Sequence, residues 1–217
     1  MWKIPVGTHH VSAAYETAPE KERAVFVCAH GAGGNMSDRS VLAVSRALQP
    51  AGVGVVRLNF PYSERKSKRP DSVPTLTQTI AAVVDRVRAE LAPPRLLIGG
   101  RSMGGRMASM LAADGFEADG LLLLAYPLHA PGQTHKLRDA HLGSIRMPIL
   151  CFNGTRDTFC QPNLMKAVVK TLGNDWTMHW LEGADHGFHV LKSSGRTDAD
   201  VFAEVARTTT TWIENLR

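Results

Sequence analysis

Six short apolar runs, separated by amphipathic segments, have the length and composition of buried strands in a parallel sheet. They are Val25–Ala29, Gly54–Leu58, Leu96–Gly100, Leu121–Ala125, Ile149–Asn153 and Thr177–Leu181. Between these runs, apolar residues recur with the spacing of one helix face. The predicted helices are Ser40–Gln49, Leu76–Leu91, Met103–Ala113, Pro162–Leu172 and Asp198–Leu216. The alternation predicts an α/β fold in which a mostly parallel twisted sheet carries helices on both faces.

The segment His9–Tyr15 has a different pattern, because apolar residues occupy every second position from Val11 to Tyr15. Such alternation is typical of an antiparallel strand at the edge of a sheet. The chain has 217 residues, of which 44% are hydrophobic and 21% charged, and it contains neither an internal repeat nor a low-complexity tract. A chain of this size buries a substantial core without disulfides or metals. We therefore expect a single domain over residues 1–217.

The sequence Gly-Arg-Ser-Met-Gly (residues 100–104) directly follows one predicted strand and opens the next predicted helix. A strand, sharp turn and helix built on this pattern form a nucleophile elbow, in which the outer glycines let the serine hydroxyl stand clear of the turn. Ser102 is therefore the predicted nucleophile. The helix that follows would direct its positive N-terminal end, including the Met103 amide, towards an oxyanion beside Ser102.

A serine nucleophile needs a base and an acid, and both candidates follow later predicted strands. Asp157 follows the strand Ile149–Asn153, and His186 follows the strand Thr177–Leu181. Because the carboxyl ends of parallel strands meet at one edge of a sheet, we expect both to converge on Ser102. His189 and Asp185 are nearby rivals, which we interpret as a packed or surface histidine and a turn residue respectively.

The glycine-rich sequence His-Gly-Ala-Gly-Gly (residues 30–34) follows another predicted strand. Glycines let the backbone approach a substrate and direct an N–H towards it. We therefore predict that the Ala32 amide, or that of Gly33, joins the Met103 amide in an oxyanion hole. A phosphate-binding loop is disfavoured, because neither the Walker lysine nor a Gly-x-Gly-x-x-Gly spacing is present.

Together, residues 30–34, 100–106, 154–157 and 185–186 resemble the α/β-hydrolase superfamily over nearly the whole chain. More narrowly, Gly-Gly-Arg-Ser-Met-Gly-Gly-Arg (residues 99–106), Asn-Phe-Pro-Tyr (59–62) and Tyr-Pro-Leu-His (126–129) resemble one group of small bacterial hydrolases. That group is related to the testis-expressed and histone-acetyltransferase-complex hydrolase-like proteins. The chain is also similar, more distantly, to dienelactone hydrolases and lidless acyl-protein thioesterases.

The resemblance implies a serine hydrolase that cleaves a carboxylic ester or related acyl bond through an acyl-enzyme at Ser102. Dienelactone hydrolases carry a cysteine at this position, so Ser102 favours ordinary acyl transfer. Only residues 126–147 separate the fourth predicted strand from the acid-bearing strand, which is too short for a cap domain. An acyl-thioesterase, an acyltransferase and a non-catalytic interaction module with a retained hydrolase fold stay open as alternatives.

The formal net charge of +5 raises the question of acidic partners. The most basic segment, Glu-Arg-Lys-Ser-Lys-Arg (residues 64–69), lies in a predicted loop at the catalytic edge, where it could attract an anionic substrate or could simply be solvated. No nucleic-acid motif accompanies it. We expect a small-molecule acyl substrate, which could be anionic, and no nucleic-acid partner, whereas the sequence does not indicate an oligomeric state.

The remaining composition predicts little additional chemistry. Cys28, Cys151 and Cys160 lack paired spacing, so we expect reduced thiols, the first two in the core. The nine histidines are scattered, and His129 and His141 are predicted to lie on the surface rather than to bind a metal. Neither a cofactor nor a metal is expected. Since no apolar run has the length of a membrane span or of a secretory signal core, we expect a cytoplasmic location and no membrane partner.

Overall fold

The computed structural model describes residues 1–19, 21–173 and 175–216, which form one eight-stranded sheet flanked by helices. The strands are β1 (Trp2–Val6), β2 (His9–Glu16), β3 (Ala24–Ala29), β4 (Val53–Leu58), β5 (Leu96–Arg101), β6 (Gly120–Leu124), β7 (Ile149–Gly154) and β8 (Trp176–Leu181). The α-helices are α1 (Arg39–Leu48), α2 (Pro61–Glu64), α3 (Val73–Leu91), α4 (Met103–Ala113), α5 (Pro162–Thr171) and α6 (Asp198–Glu214). Short 3-10 turns occupy Gln49–Ala51, Leu142–Ser144 and Lys192–Ser194.

The strands run in the order β1-β2-β4-β3-β5-β6-β7-β8, and every pair from β4 to β8 is parallel. Chain order reverses between β3 and β5, because β4 lies on one side of β3 and β5 on the other. In open α/β sheets, ligands bind outside the carboxyl ends of the strands at such a switch point. This topology confirms the predicted mostly parallel sheet and places its switch point beside the predicted nucleophile.

Alternating side chains along the strands build two separate cores. In β3, Val25 and Val27 face the core shared with α3, α4 and α5, whereas Phe26 and Cys28 face the core shared with α1 and α6. A strand buried on both faces appears in sequence as a continuous apolar run, which is the pattern seen here. The helices therefore cover both faces of the sheet, as predicted.

The prediction that the opening alternating segment forms the edge strand is wrong. That segment is β2, which pairs with both β1 and β4, so β1 is the edge. Pro5 lies inside β1, and a proline within an apolar run argues against a strand unless its missing N–H faces solvent at an edge. The turn at Gly7, which has φ +56°, then joins β1 to β2 as a hairpin.

The chain between β6 and β7 contains one 3-10 turn, Leu142–Ser144, and no cap helix. The connection therefore adds no cap over the carboxyl edge of the sheet, as its short length predicted. Among the described residues, no helix combines the length and apolar character needed to cross a bilayer.

Candidate active site

Ser102 forms the turn between β5 and α4 in a conformation that non-glycine residues rarely adopt, with φ +51° and ψ −116°. Two backbone hydrogen bonds hold it there. The Ser102 N–H donates to the carbonyl oxygen of Leu124 in β6 (2.8 Å), and the Arg106 N–H donates to the Ser102 carbonyl oxygen (3.0 Å). A strained backbone conformation of this kind persists only where several surrounding contacts fix it. Such conformations cluster at functional sites. The local geometry is thus that of the predicted nucleophile elbow.

The two outer glycines of the elbow are required by close packing against the end of β3. A methyl group on Gly100 would lie 2.2 Å from the Ala29 carbonyl oxygen, and one on Gly104 would lie 2.3 Å from the same atom. Both distances are far below a van der Waals contact. The elbow therefore lies directly against the point where β3 ends and the glycine-rich turn begins.

The structure brings Ser102, His186 and Asp157 together, although they lie up to 84 positions apart. The Ser102 Oγ lies 2.9 Å from the His186 Nε2. On the other side of the ring, Nδ1 lies 2.8 Å from the Asp157 Oδ2 and 3.0 Å from Oδ1. Asp157 is only 3% exposed, whereas the serine and the imidazole are half-buried at the surface of the site. The three side chains thus have the mutual geometry that the predicted roles require.

Asp157 is held by two further donors that sequence reasoning missed. The Phe159 N–H donates to Oδ1 (2.8 Å), and the Asn153 Nδ2 donates to Oδ2 (3.1 Å). Asn153 is itself fully buried, accepting from the Tyr126 N–H (3.2 Å) and donating to the Tyr126 carbonyl oxygen (3.0 Å). Both carboxylate oxygens therefore act as acceptors. The sequence signal that could have indicated Asn153 is a polar residue at the end of an otherwise apolar strand.

The two rivals lie outside this hydrogen-bonded chain. His189 is exposed and its Nδ1 lies 3.0 Å from Asp198. Asp185 Oδ1 accepts from the backbone N–H groups of Gly187 (2.7 Å) and His189 (3.0 Å), so it shapes the loop that carries His186. The Phe159 ring covers the His186 ring at a centroid distance of 4.3 Å. The site uses Asp157 rather than the adjacent Asp185 as the partner of the imidazole.

The glycine-rich turn lies beside the nucleophile. The Gly34 N–H donates to the Gly31 carbonyl oxygen (3.2 Å), which closes a turn with Ala32 and Gly33 at its centre. A methyl group on Gly31 would lie 3.7 Å from the Ser102 Cβ. Met103 is the first residue of α4, so its N–H has no partner within that helix. The role of the Ala32 and Met103 amides as oxyanion donors stays a prediction.

Two buried side chains brace this turn. His30 Nε2 accepts from the Phe60 N–H (3.3 Å), which leaves the proton on Nδ1, where it is donated to the Gly31 carbonyl oxygen (2.8 Å). The Tyr62 hydroxyl donates to the same carbonyl oxygen (3.2 Å) and accepts from the Gly33 N–H (3.1 Å). Burial raises the pKa of Tyr62 to about 12, so the hydroxyl stays protonated at neutral pH. The motif Asn-Phe-Pro-Tyr (residues 59–62) thus braces the glycine-rich turn through Phe60 and Tyr62.

His129 holds the acid-bearing loop in the same way, and its predicted surface position is wrong. It is 1% exposed. Its Nε2 accepts from the Gln161 N–H (3.2 Å), Nδ1 donates to the Ala130 carbonyl oxygen (3.0 Å), and its backbone N–H donates to the Phe159 carbonyl oxygen (3.0 Å). Since backbone groups satisfy both ring nitrogens, a neutral imidazole can be buried at little cost. Sequence reasoning missed it because these partners lie up to 32 positions away.

Acidification is expected to weaken the fold through His30. Burial lowers the pKa of this imidazole below its usual 6.5, and the Phe60 N–H occupies the nitrogen that would take the second proton. The unfolded chain therefore binds a proton at higher pH than the folded chain. The stability contribution is complete above about pH 6.5 and is lost as the pH falls through the folded-state value.

Urea unfolding at pH 7.5 and 5.5 measures this loss. The free energy of unfolding should be lower at pH 5.5, and the difference should shrink in the His30→Gln variant, which cannot take up a proton. An equal pH dependence in both proteins would assign the effect to other groups.

The basic segment emerges at the predicted edge of the sheet, where Lys68 contacts the glycine-rich turn. The Lys68 Nζ donates to the Gly33 carbonyl oxygen (3.0 Å), while Arg65 pairs with Asp71. Lys66 and Arg69 are exposed. Within the described part of the chain, no cluster of three or more His, Cys, Asp or Glu side chains could hold a metal ion. Cys28, Cys151 and Cys160 are buried and unpaired, as free thiols in the core would be.

Comparisons with known proteins agree with this architecture. The family described as the alpha/beta hydrolase domain matches residues 22–214. An alpha-beta serine hydrolase homologue from Coxiella burnetii has a TM-score of 0.78 at 20% identity, with 95% of each chain covered. A serine hydrolase without lid from Xanthomonas campestris has a TM-score of 0.78 at 21% identity, covering 97% of this chain and 93% of its own.

A dienelactone hydrolase from Anabaena variabilis has a TM-score of 0.76 at 16% identity, covering 100% of this chain and 97% of its own. At these identities the likeness to solved structures shows the fold alone. The matched residues 22–214 include the elbow, the acid, the histidine and the glycine-rich turn. The narrower resemblance to one group of small bacterial hydrolases stays a prediction. The chain belongs to the alpha/beta hydrolase family, and it is a hydrolase domain of the lidless kind.

Proposed function

We propose that this protein is a serine hydrolase that cleaves a carboxylic ester through an acyl-enzyme, with Ser102 as nucleophile, His186 as general base and Asp157 as orienting acid. One observation carries the proposal. An unbroken hydrogen-bonded chain joins the Ser102 Oγ to the His186 Nε2 (2.9 Å) and the His186 Nδ1 to the buried Asp157 Oδ2 (2.8 Å). This geometry is what proton transfer from a hydroxyl to an imidazole requires.

In the first half-reaction, Ser102 Oγ attacks the acyl carbon while its proton passes to the His186 Nε2. Asp157 accepts from Nδ1, which fixes the tautomer and stabilises the imidazolium. The amides of Met103 and Ala32 donate to the oxyanion of the tetrahedral intermediate. Collapse breaks the bond to the leaving alkoxide, which takes the proton from Nε2 and departs as an alcohol.

In the second half-reaction, water attacks the acyl group on Ser102. His186 takes a proton from that water and returns it to Ser102 Oγ as the carboxylic acid leaves. The reaction therefore consumes one water and regenerates the free serine. No cofactor enters either half-reaction.

The surroundings of the triad support one class of substrate. Without a cap helix between β6 and β7, the site suits small or protruding acyl groups better than an enclosed lipid. The exposed cations Lys66 and Lys68 line a cavity with Gly33 and Gly34, and they favour an anionic small molecule through local electrostatic attraction. We propose oxygen esters of this kind ahead of thioesters, because no feature of the site is one that only a thioester would need.

A panel of p-nitrophenyl esters and acyl-thioesters of matched chain length tests the proposal on purified protein. We expect hydrolysis of short neutral esters and a higher kcat/KM for p-nitrophenyl hydrogen succinate, an advantage that shrinks as salt is added. The neutral ester serves as the internal control for salt. Hydrolysis of thioesters alone would replace the ester assignment, and turnover of neither would contradict the catalytic proposal.

Replacing Tyr62 by phenylalanine should lower kcat about tenfold and destabilise the fold by about 1–3 kcal/mol, since the Gly33 N–H loses its acceptor and the turn loses its brace. Ester hydrolysis and urea unfolding measure the two effects. The control is Tyr15→Phe, which removes a hydroxyl bonded to Glu22 away from the site. We expect that variant to lose stability without losing kcat; an unchanged kcat in Tyr62→Phe would contradict the bracing role.

A further inference from the structure

The side chain of Arg101, inside the elbow itself, has no part in the triad yet contacts the loops on both sides of it. Its Nη2 donates to the backbone carbonyl oxygen of His186, across 85 positions of sequence. Its Nη1 lies 3.8 Å from where a methyl group on Gly31 would be. One guanidinium therefore lies between the loop that carries the imidazole and the turn that faces the nucleophile.

This position is costly for a cation. Burial lowers the pKa of Arg101, although the group stays charged at neutral pH. Its Nε is enclosed and has no hydrogen-bond partner within residues 1–19, 21–173 and 175–216. In the same part of the chain, no carboxylate forms an ion pair with it. An apolar side chain would avoid this cost, so the charge and its hydrogen bond point to a functional role.

The charged groups around the Arg101 guanidinium are mainly carboxylates. Asp157 is the carboxylate that acts on it most strongly, followed by Asp185 and Asp38, and the Cys28 thiol also faces it. His186 has Asp157 on its Nδ1 and the Arg101 guanidinium on its backbone carbonyl. The guanidinium therefore attracts the Asp157 carboxylate while it binds the loop that carries the imidazole partner of that carboxylate.

We infer that Arg101 is a positioning residue of the proposed reaction, which holds the His186 loop in register with Ser102. The inference rests on the proposed function. The hydrogen bond to the His186 carbonyl oxygen fixes the loop, because it ties the loop to the strand end that also carries the nucleophile. A displacement of about 1 Å in such a constellation costs about 100-fold in rate.

Two substitutions test the hydrogen bond. Arg101→Met removes it, and we expect kcat to fall about 10- to 100-fold while KM changes by less than about twofold. A loss in kcat without a loss in KM indicates misplacement of the reacting groups rather than weaker substrate binding. Arg101→Lys keeps a charged donor of different shape, so kcat should recover only in part.

Arg57→Met is the matched control. Arg57 is also a buried arginine at a strand end, but it donates to the Met36 carbonyl oxygen and pairs with Glu16 outside the triad. We expect this variant to lose thermal stability while kcat per folded molecule stays unchanged. A general cost of removing a buried cation would affect both variants alike.

The outcomes distinguish this inference from the function on which it rests. Wild-type protein without ester hydrolysis would overturn both. Active wild type with an unchanged kcat in Arg101→Met would overturn the positioning role alone. That role would also be overturned if kcat fell equally in Arg101→Met and Arg57→Met, if the loss in Arg101→Met lay in KM rather than in kcat, or if Arg101→Lys recovered none of the lost kcat. A fall in kcat confined to the Arg101 variants, with partial recovery in Arg101→Lys, supports the inference.

Discussion

Replacing Ser102 by alanine is expected to lower kcat by about 10⁴-fold or more, while the melting temperature stays nearly unchanged. Alanine retains the Cβ, so it fits the space and the φ of +51° as well as serine does. Only the hydroxyl is lost, together with its 2.9 Å contact to the His186 Nε2. The backbone donors remain, and they account for whatever slow hydrolysis persists.

Initial rates with a p-nitrophenyl ester and a thermal unfolding curve measure these two quantities. The matched control is Ser109→Ala, because Ser109 is a buried serine on α4 whose hydroxyl donates to the Arg106 carbonyl oxygen and contacts the His141 ring. We expect the control to keep kcat within about twofold. Activity retained by Ser102→Ala would rule out the acyl-enzyme at this residue.

The second large effect is expected from Asp157→Asn, which should lower kcat by about 10⁴-fold. Every contact of this carboxylate comes from a donor: the His186 Nδ1, the Phe159 N–H and the Asn153 amide. An asparagine amide must present its own N–H groups to at least one of them. The result is either a donor facing a donor or an imidazole held in the wrong tautomer. We also expect a loss of about 1–3 kcal/mol in stability.

Asp185→Asn is the control for this substitution, since that residue is next to His186 in sequence. Its Oδ1 accepts only backbone N–H groups, which an asparagine oxygen can also accept. Steady-state kinetics on both variants should show the large loss in Asp157→Asn and a change of no more than about threefold in Asp185→Asn. The reverse pattern would assign the acid to Asp185.

Much of this fold could be predicted because the hydrophobic pattern of each segment agrees with the place of that segment in the sheet or on its faces. Each parallel strand is buried on both faces, so it appears as an apolar run, and each helix shows its buried stripe. Ser102 could be proposed as nucleophile for the same reason, since the glycines of the elbow, the strand before it and the helix after it are contiguous. Residues near strand ends then converge because the sheet is parallel.

The supporting residues could not be predicted in this way, because their contacts are long-range. Nothing near Asn153, His129 or Tyr62 in sequence indicates that each bonds the backbone of a loop 27 to 32 positions away. The burial of a histidine is also hard to predict from sequence, since a neutral ring with both nitrogens hydrogen-bonded is as readily buried as exposed. The edge strand was misplaced because Pro5 masks β1 in the sequence.

The central claim is that the Ser102 hydroxyl is the activated nucleophile of this protein. Incubation with a fluorophosphonate probe, followed by digestion and mass spectrometry, tests it most directly. The account predicts one covalent adduct, located on Ser102, absent from Ser102→Ala and formed far more slowly in Asp157→Asn. An adduct on another residue, or no adduct in a protein that still hydrolyses esters, would contradict it.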